Sequence, residues 1–230
     1  MKNKRINIII FKIKFLLPRI ISSFKKKKIK KNNAYLNFEV LVKGKNFSTY
    51  WFLNNHKIIG SFLPTDQNKT FNYLEIGSFE GLSSLFILSY WKNAKVTCID
   101  TWEISKDDSQ ILDFNFEDVE KKFDTNLQDF SFRKIKSTSE MAFKQLKERD
   151  SFDYIYIDGS HNGIDIYNDA LASFNVLKVG GIIIFDDITN IYQGIEMQPH
   201  DAFEKFYSLY KRKIKILYLK NIAVIKKTNY

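Results

Sequence analysis

Tyr73-Leu74-Glu75-Ile76-Gly77-Ser78-Phe79-Glu80-Gly81-Leu82-Ser83-Ser84 decides the fold of this 230-residue chain. An apolar run carrying one acid meets two glycines four positions apart and then a helical pattern, which reads as a strand bending straight into a helix. Such a bend exposes backbone N–H groups at the positive end of a helix, where an anionic or carboxylate-bearing ligand can approach the main chain. Glycines also serve such turns for steric reasons alone, so the rest of the chain must specify the ligand.

Outward from the bend, apolar β-type runs recur at 71–77, 95–100, 132–136, 152–158, 181–187, 214–219 and 222–226. Helical patterns at 80–91, about 110–129, 139–147, 164–177 and 200–211 separate the first five runs and precede the sixth. Strands alternating with helices predict an α/β fold with a mostly parallel sheet covered on both faces. Only Lys220-Asn221 separates the last two runs, so they pair as an antiparallel hairpin. Three regions follow: a basic leader over 1–33, a helical cap over 34–70 rich in aromatics (Phe47, Tyr50, Trp51, Phe52), and the α/β domain over 71–230.

Hydrophobic residues make up 44% of the chain, enough to fill one sizeable core. Its net charge of +10 misleads as an average, because residues 1–33 hold twelve Lys/Arg and no acid. The remainder balances 24 basic against 26 acidic residues, so the domain lacks the basic footprint of a nucleic-acid binder. The leader's apolar stretch is interrupted by Lys12, Lys14, Pro18 and Arg19, too short and too charged to span a bilayer or to act as a secretory signal. Two readings of it stay open: a loose tail, or a basic arm resting on an anionic membrane surface, which would make the protein peripheral at the inner face of the membrane. Cys98 is the single cysteine and lies in a strand pattern; it suits a buried small hydrophobe and a reducing, cytoplasmic setting.

In a doubly wound sheet, ligands bind beyond the carboxyl ends of the strands. Strand one ends in Glu75 and the bend; strand two ends in Asp100, followed by Trp102. A carboxylate at Asp100 can accept from both ribose hydroxyls, or it can cap a turn; Trp102 can cover a flat base. Ser137-Thr138-Ser139-Glu140 after strand three suits a ligand border or an N-cap with Glu140 completing a capping box. Strand four ends in Asp158-Gly159-Ser160-His161 and strand five in Asp186-Asp187. Three carboxylates at neighbouring tips would repel one another, which a divalent cation such as Mg²⁺ relieves, with His161 placed to take a proton. Alternatively the acids cap a loop and His161 is structural.

The bend, together with Phe152-Asp153-Tyr154-Ile155-Tyr156-Ile157-Asp158-Gly159-Ser160-His161 and Leu177-Lys178-Val179-Gly180-Gly181-Ile182-Ile183-Ile184-Phe185-Asp186-Asp187, resembles class I S-adenosylmethionine-dependent methyltransferases. The branch is the bacterial one that includes macrocin-type sugar O-methyltransferases, related to the catechol type. The resemblance implies a Rossmann-like seven-stranded sheet in the order 3-2-1-4-5-7-6. It implies S-adenosyl-L-methionine bound by Glu75, Gly77, Ser78, Gly81 and Ser83 at the methionine end, Asp100 at the ribose, and Trp102, Ser139 and Glu140 around the adenine. Asp158, Asp186 and Asp187 take the metal-ligand positions, with Asp158 and His161 as the catalytic pair and a sugar or small-molecule hydroxyl as acceptor. Ser160 departs from the macrocin pattern, which carries an acid there. The aromatic segment 47–52 and the loop 188–199 should cover the acceptor.

Competing readings are a nicotinamide dehydrogenase, a catalytically silent cofactor-binding or membrane scaffold, and a hydroxylase-like relative of the same fold. The dehydrogenase wants G-x-G-x-x-G, which Gly77-x-x-x-Gly81 does not supply.

Overall fold

The computed structural model describes residues 2–30, 35, 37–103, 118–146 and 149–229, with side chains of 2, 3 and 27–30 left aside. Seven strands form one sheet: β1 (Phe71–Ile76), β2 (Ala94–Asp100), β3 (Arg133–Lys136), β4 (Phe152–Ile157), β5 (Leu177–Phe185), β6 (Ile214–Leu219) and β7 (Ala223–Lys227). Their order is β3-β2-β1-β4-β5-β7-β6, parallel through β5 and antiparallel in the closing hairpin, as expected.

Residues alternate faces along each strand, and both faces are dry. Leu74, Ile76, Ile155, Ile157, Ile183 and Phe185 enter one cluster. Tyr73, Cys98, Tyr156, Ile182 and Ile184 enter the other. The first layer is closed by α8 (Gly163–Val176) and α9 (Pro199–Tyr210), whose inner faces bring Ile166, Ala170, Phe174, Phe203 and Phe206. The second is closed by α5 (Leu82–Tyr90) and α6 (Val119–Leu127), through Leu85, Phe86, Phe123 and Leu127. The short α7 (Ser139–Gln145) follows β3. Of the helix expected over about 110–129, the part from 110 to 117 lies outside the described residues.

β5 starts earlier than the apolar pattern indicates. Leu177 leaves α8 directly into a pair with Phe152, and the register then shifts before Tyr154 meets Ile182, across Gly180-Gly181. Polar Lys178 in that stretch hid it, but its ammonium is paired with Asp153 at 2.8 Å.

The cap comprises α3 (Phe38–Val42), a 3₁₀ turn (Trp51–Asn54) and α4 (His56–Gly60). Phe38, Phe52, Ile58 and Ile59 pack with Phe86 over the second layer. The described part of the leader forms α1 (Lys2–Lys14) and α2 (Leu16–Lys30). Ile8, Phe11 and Phe15 recur at helical spacing and are buried, with Phe11 and Phe15 edge-on to Phe203 of α9. Further along, α2 lies against β6. Ser22 Oγ accepts from Leu219 N at 2.7 Å and Lys25 Nζ donates to Leu217 O at 2.9 Å, so the helix covers a sheet edge.

Candidate active site

Gly77 and Gly81 both take positive φ, +86° and +85°. Gly77 must be glycine for a second reason: a Cβ there would stand 2.2 Å from the carbonyl oxygen of Asp158. The bend and the tip of β4 are therefore in backbone contact. Phe79 is also left-handed, held by its N–H donating to Asp100 Oδ2 at 2.8 Å, while Asp100 Oδ1 accepts from Trp102 N at 2.7 Å. Asp100 thus shapes the bend with both oxygens, and the backbone of Ser78 and Thr101 also donates to its carboxylate. Burial pushes its carboxyl up, against those backbone donors.

Glu75 is fully buried, and burial raises its carboxyl to about 7 despite hydrogen bonds from Ser83 and Ser84. Ser83 Oγ (2.7 Å) and Ser84 Oγ (2.9 Å) both donate to Oε1. Glu75 Oε2 and Ser78 Oγ are buried without a well-formed hydrogen bond, although the Ser78 and Tyr73 hydroxyls both lie close to the Glu75 carboxylate. An underused carboxylate oxygen and a hydroxyl beside a helix amino end fit the ammonium and carboxylate of an amino-acid moiety. Ser83 supports Glu75.

Trp102, in contrast, turns inward. Its ring packs on Phe123 at 4.7 Å beneath the Lys134 ammonium, and its indole N–H donates to Phe79 O at 2.8 Å. It stiffens the bend from behind. Ser139 hydrogen-bonds Asp169 of α8, and Glu140 is exposed and paired with Lys144 at 2.7 Å. The cap of α7 is Thr138, accepting from Met141 N, so Glu140 completes no capping box.

At the second centre, the Tyr156 hydroxyl lies between Asp158 Oδ2 (2.9 Å) and Asp186 Oδ2. One phenol proton cannot serve two carboxylates, so a second proton or a cation must complete the set. Burial and then mutual repulsion raise Asp158 well above the usual carboxylate range and Asp186 to about 6. Asn55 of the cap donates to Asp186 Oδ1 at 3.2 Å. Asp187, at φ +48°, accepts from Asn221 (2.8 Å) and Tyr192 (3.2 Å). His161 stacks on Tyr192 at 4.4 Å with Nε2 3.9 Å from Asp187 Oδ2. Ser160, on the cavity wall, donates to Asp165 at 2.8 Å. A cavity of about 10 Å³, room for one water or small ion, is lined by Asp158, His161, Asp186 and Asp187. Among the described residues no group of three acids or histidines closes around one point as a metal site. The expected ligands Asp158, Asp186 and Asp187 are neighbours, and Tyr156, Asn55, Asn221 and Tyr192 already donate to them.

Glu80 escaped the sequence reading. It is buried, accepts from Ser48 N (2.5 Å) and Ser48 Oγ (2.7 Å), and pairs with Lys122 at 3.0 Å. It ties the cap to the bend. Its position inside the glycine segment was the available signal.

A family of sequences described as a methyltransferase domain matches residues 74–188, half of the chain. The chain belongs to that family. The methyltransferase domain has the class I, S-adenosylmethionine-dependent fold. No curated protein sequence matches it. Among solved structures, a Corynebacterium glutamicum protein is similar with a TM-score of 0.57 at 16% identity, over 92% of this chain and 99% of that one. A Bacillus cereus O-methyltransferase in complex with S-adenosylhomocysteine gives 0.54 at 13% identity, over 91% and 98%. MycE, a mycinamycin-pathway methyltransferase solved with Mg and S-adenosylhomocysteine, gives 0.54 at 17% identity, over 84% of this chain and 55% of that one.

Proposed function

We propose that this methyltransferase domain methylates a hydroxyl oxygen of a small molecule or sugar, with Glu75, Gly77, Ser78, Gly81 and Asp100 holding S-adenosyl-L-methionine and His161 receiving the hydroxyl proton. The backbone contact of Gly77 with Asp158 carries the reading, because it sets a carboxylate-and-glycine cradle directly against the tip of β4 that bears the histidine of the cleft. When bound, the cofactor supplies a methyl group on a cationic sulfur.

The protein's own part is positioning and proton removal. Glu75 Oε2 and Ser78 Oγ take up the amino-acid end, and Asp100 the ribose. Tyr192 fixes the plane of the His161 ring, and Asp187 stabilises the imidazolium that forms. Asn55 donates to Asp186 and Tyr192 to Asp187, which brings the cap and the 188–198 loop to neighbouring carboxylates at the edge of which the acceptor hydroxyl would approach. Trp102 as placed packs within the protein and Ser139 bonds Asp169, so of the expected adenine border Glu140 is the residue that faces solvent.

A second reading places Mg²⁺ on Asp158, Asp186 and Asp187, supported by the proton shortage around Tyr156 and by a Mg-containing neighbour. An ion there would acidify a bound hydroxyl. The carboxylates do not fit it as they stand, since Tyr156, Asn55 and Asn221 would first have to release them. Proton removal by His161 needs no such ion.

His161→Ala is expected to lower turnover of a hydroxyl acceptor about 100-fold or more while S-adenosylhomocysteine affinity by calorimetry changes less than about threefold. Undiminished turnover sinks the base assignment. Running the same assay in EDTA and in Mg²⁺ separates the readings: metal-independent rates support His161 acting alone, and loss in EDTA restored by Mg²⁺ supports the second.

A further inference from the structure

α1 and α2 carry two apolar faces, of which the fold uses one. The inner face, Ile8, Phe11 and Phe15, is buried against α9. The outer face runs Ile6, Ile10, Ile13, Leu17, Ile20 and Phe24 at alternating spacings of three and four, and all six are exposed, Ile13 at 66%, Leu17 at 68% and Phe24 at 69%. Anchored on one side, these helices cannot roll to hide that stripe. A soluble monomer rarely leaves so long an apolar row in water.

Charge selects the occupant. The two helices hold eleven Lys/Arg and no acid, beside a domain that is otherwise near neutral. A second copy of the chain would bring the same positive charge and no acid to answer it. Nucleic acid would want the cations, not branched aliphatics, at the centre of the face. An amphipathic pair with aliphatics projecting and lysines alongside matches the boundary of an anionic bilayer. Among the described residues no helix is long and apolar enough to cross a membrane, so the contact lies in the surface plane. Pro18, which lacks an N–H, sits in the first turn of α2 and re-aims the second helix after Phe15.

The geometry points to α1–α2 as a docking face for an anionic phospholipid surface, independent of the methyl-transfer reading. It also orients the domain. Lys4 Nζ donates to Ile195 O in the 188–198 loop, and α2 packs on α4, next to Asn55. The docking helices therefore touch both walls of the cleft, and the membrane-held enzyme opens beside the lipid surface.

Flotation of the full chain on neutral phosphatidylcholine vesicles and on vesicles containing phosphatidylglycerol tests this. Binding is expected on the anionic vesicles alone and weakened by salt. Leu17→Asp with Phe24→Asp should cut the bound fraction about tenfold or more, with the thermal midpoint and S-adenosylhomocysteine affinity retained because both side chains are exposed. Should that pair disturb folding, Arg5→Glu with Lys12→Glu, also exposed, reads the electrostatic share. Equal binding to both vesicle types, no binding, or binding indifferent to every variant overturns the proposal. So does sedimentation showing a dimer that the apolar substitutions dissociate.

Discussion

The bend after β1 and the tips of β4 and β5 meet at Gly77, yet they are built by opposite means. The bend is a backbone device: two positive-φ glycines, a left-handed Phe79 and an acid that holds N–H groups in place. The tips are a side-chain device, with three acids, two phenols, two amides and a histidine sharing too few protons. A backbone cradle cannot be tuned without being broken, and it recurs wherever one cofactor is held. A cluster of partly satisfied side chains can be re-equipped for a different acceptor. That difference explains why the cofactor half is the easier to name.

The sharpest way to break the bend alone is Gly77→Ala. Its methyl would collide with Asp158 O and leave a non-glycine at φ +86°, costing about 3 kcal/mol, or a thermal midpoint lowered by about 6–12 °C. S-adenosylhomocysteine affinity should fall about 100-fold. Gly180→Ala serves as the control. It shares a positive φ, +88°, but nothing lies within 4 Å of the added carbon, so only about 1 kcal/mol is lost, with affinity intact. Equal effects from the two would remove the argument from contact.

Next in size is Glu75→Gln, which should weaken S-adenosylhomocysteine about tenfold. The folded carboxyl titrates near 7 rather than at its ordinary 4.5, so it is protonated and costs little below about 4.5, and folding stability falls as pH rises from there through about 7. A ligand ammonium at Oε2 wants the ionised form, so affinity should strengthen across that same window. Calorimetry over pH should find this slope in the native chain and a flat line in the variant. A slope that survives the Glu75→Gln substitution would assign the dependence elsewhere.

Opposite in sign is Asp186→Asn on stability. Its folded carboxyl is raised to about 6 from 3.8, so its burden is absent below about 3.8 and grows as pH rises through about 6. Removing that charge should stabilise the fold by about 1–3 kcal/mol at pH about 8, with the gain shrinking in acid. Denaturation midpoints at the two pH values measure it. A destabilised variant would mean that the hydrogen bonds Asp186 accepts from Tyr156, Asn55 and the Asp187 N–H outweigh the burden of its charge.

The sheet was legible because each strand declares itself through neighbours in sequence, and Gly77, Asp158 and Asp186 mark where strands stop. Side-chain direction was not. Trp102 follows a strand tip, as a base-covering ring would, but a pocket between Phe123 and Lys134 draws it inward, and those partners lie 21 and 32 residues away. Glu80 and Asn55 draw their meaning from Ser48 and Asp186, 32 and 131 residues distant. The N-cap is Thr138, one residue later than a box closed by Glu140 requires, because the helix begins where β3 releases it. The leader's order was hidden for the same reason: Phe11 and Phe15 look like a tail until Phe203 is placed beneath them.

The hydrogen bond from Leu219 to Ser22 spans 197 residues. During synthesis α1 and α2 emerge before every element they rest on, and β6 arrives last but one among the strands. Their inner face must stay unsatisfied until nearly the whole chain is available, which makes arm docking a late and slow contact. Until then the β6 edge and two apolar helix faces are open to wrong partners. Yield on expression should therefore respond to Phe11 and Phe15 more steeply than the stability of the finished fold does.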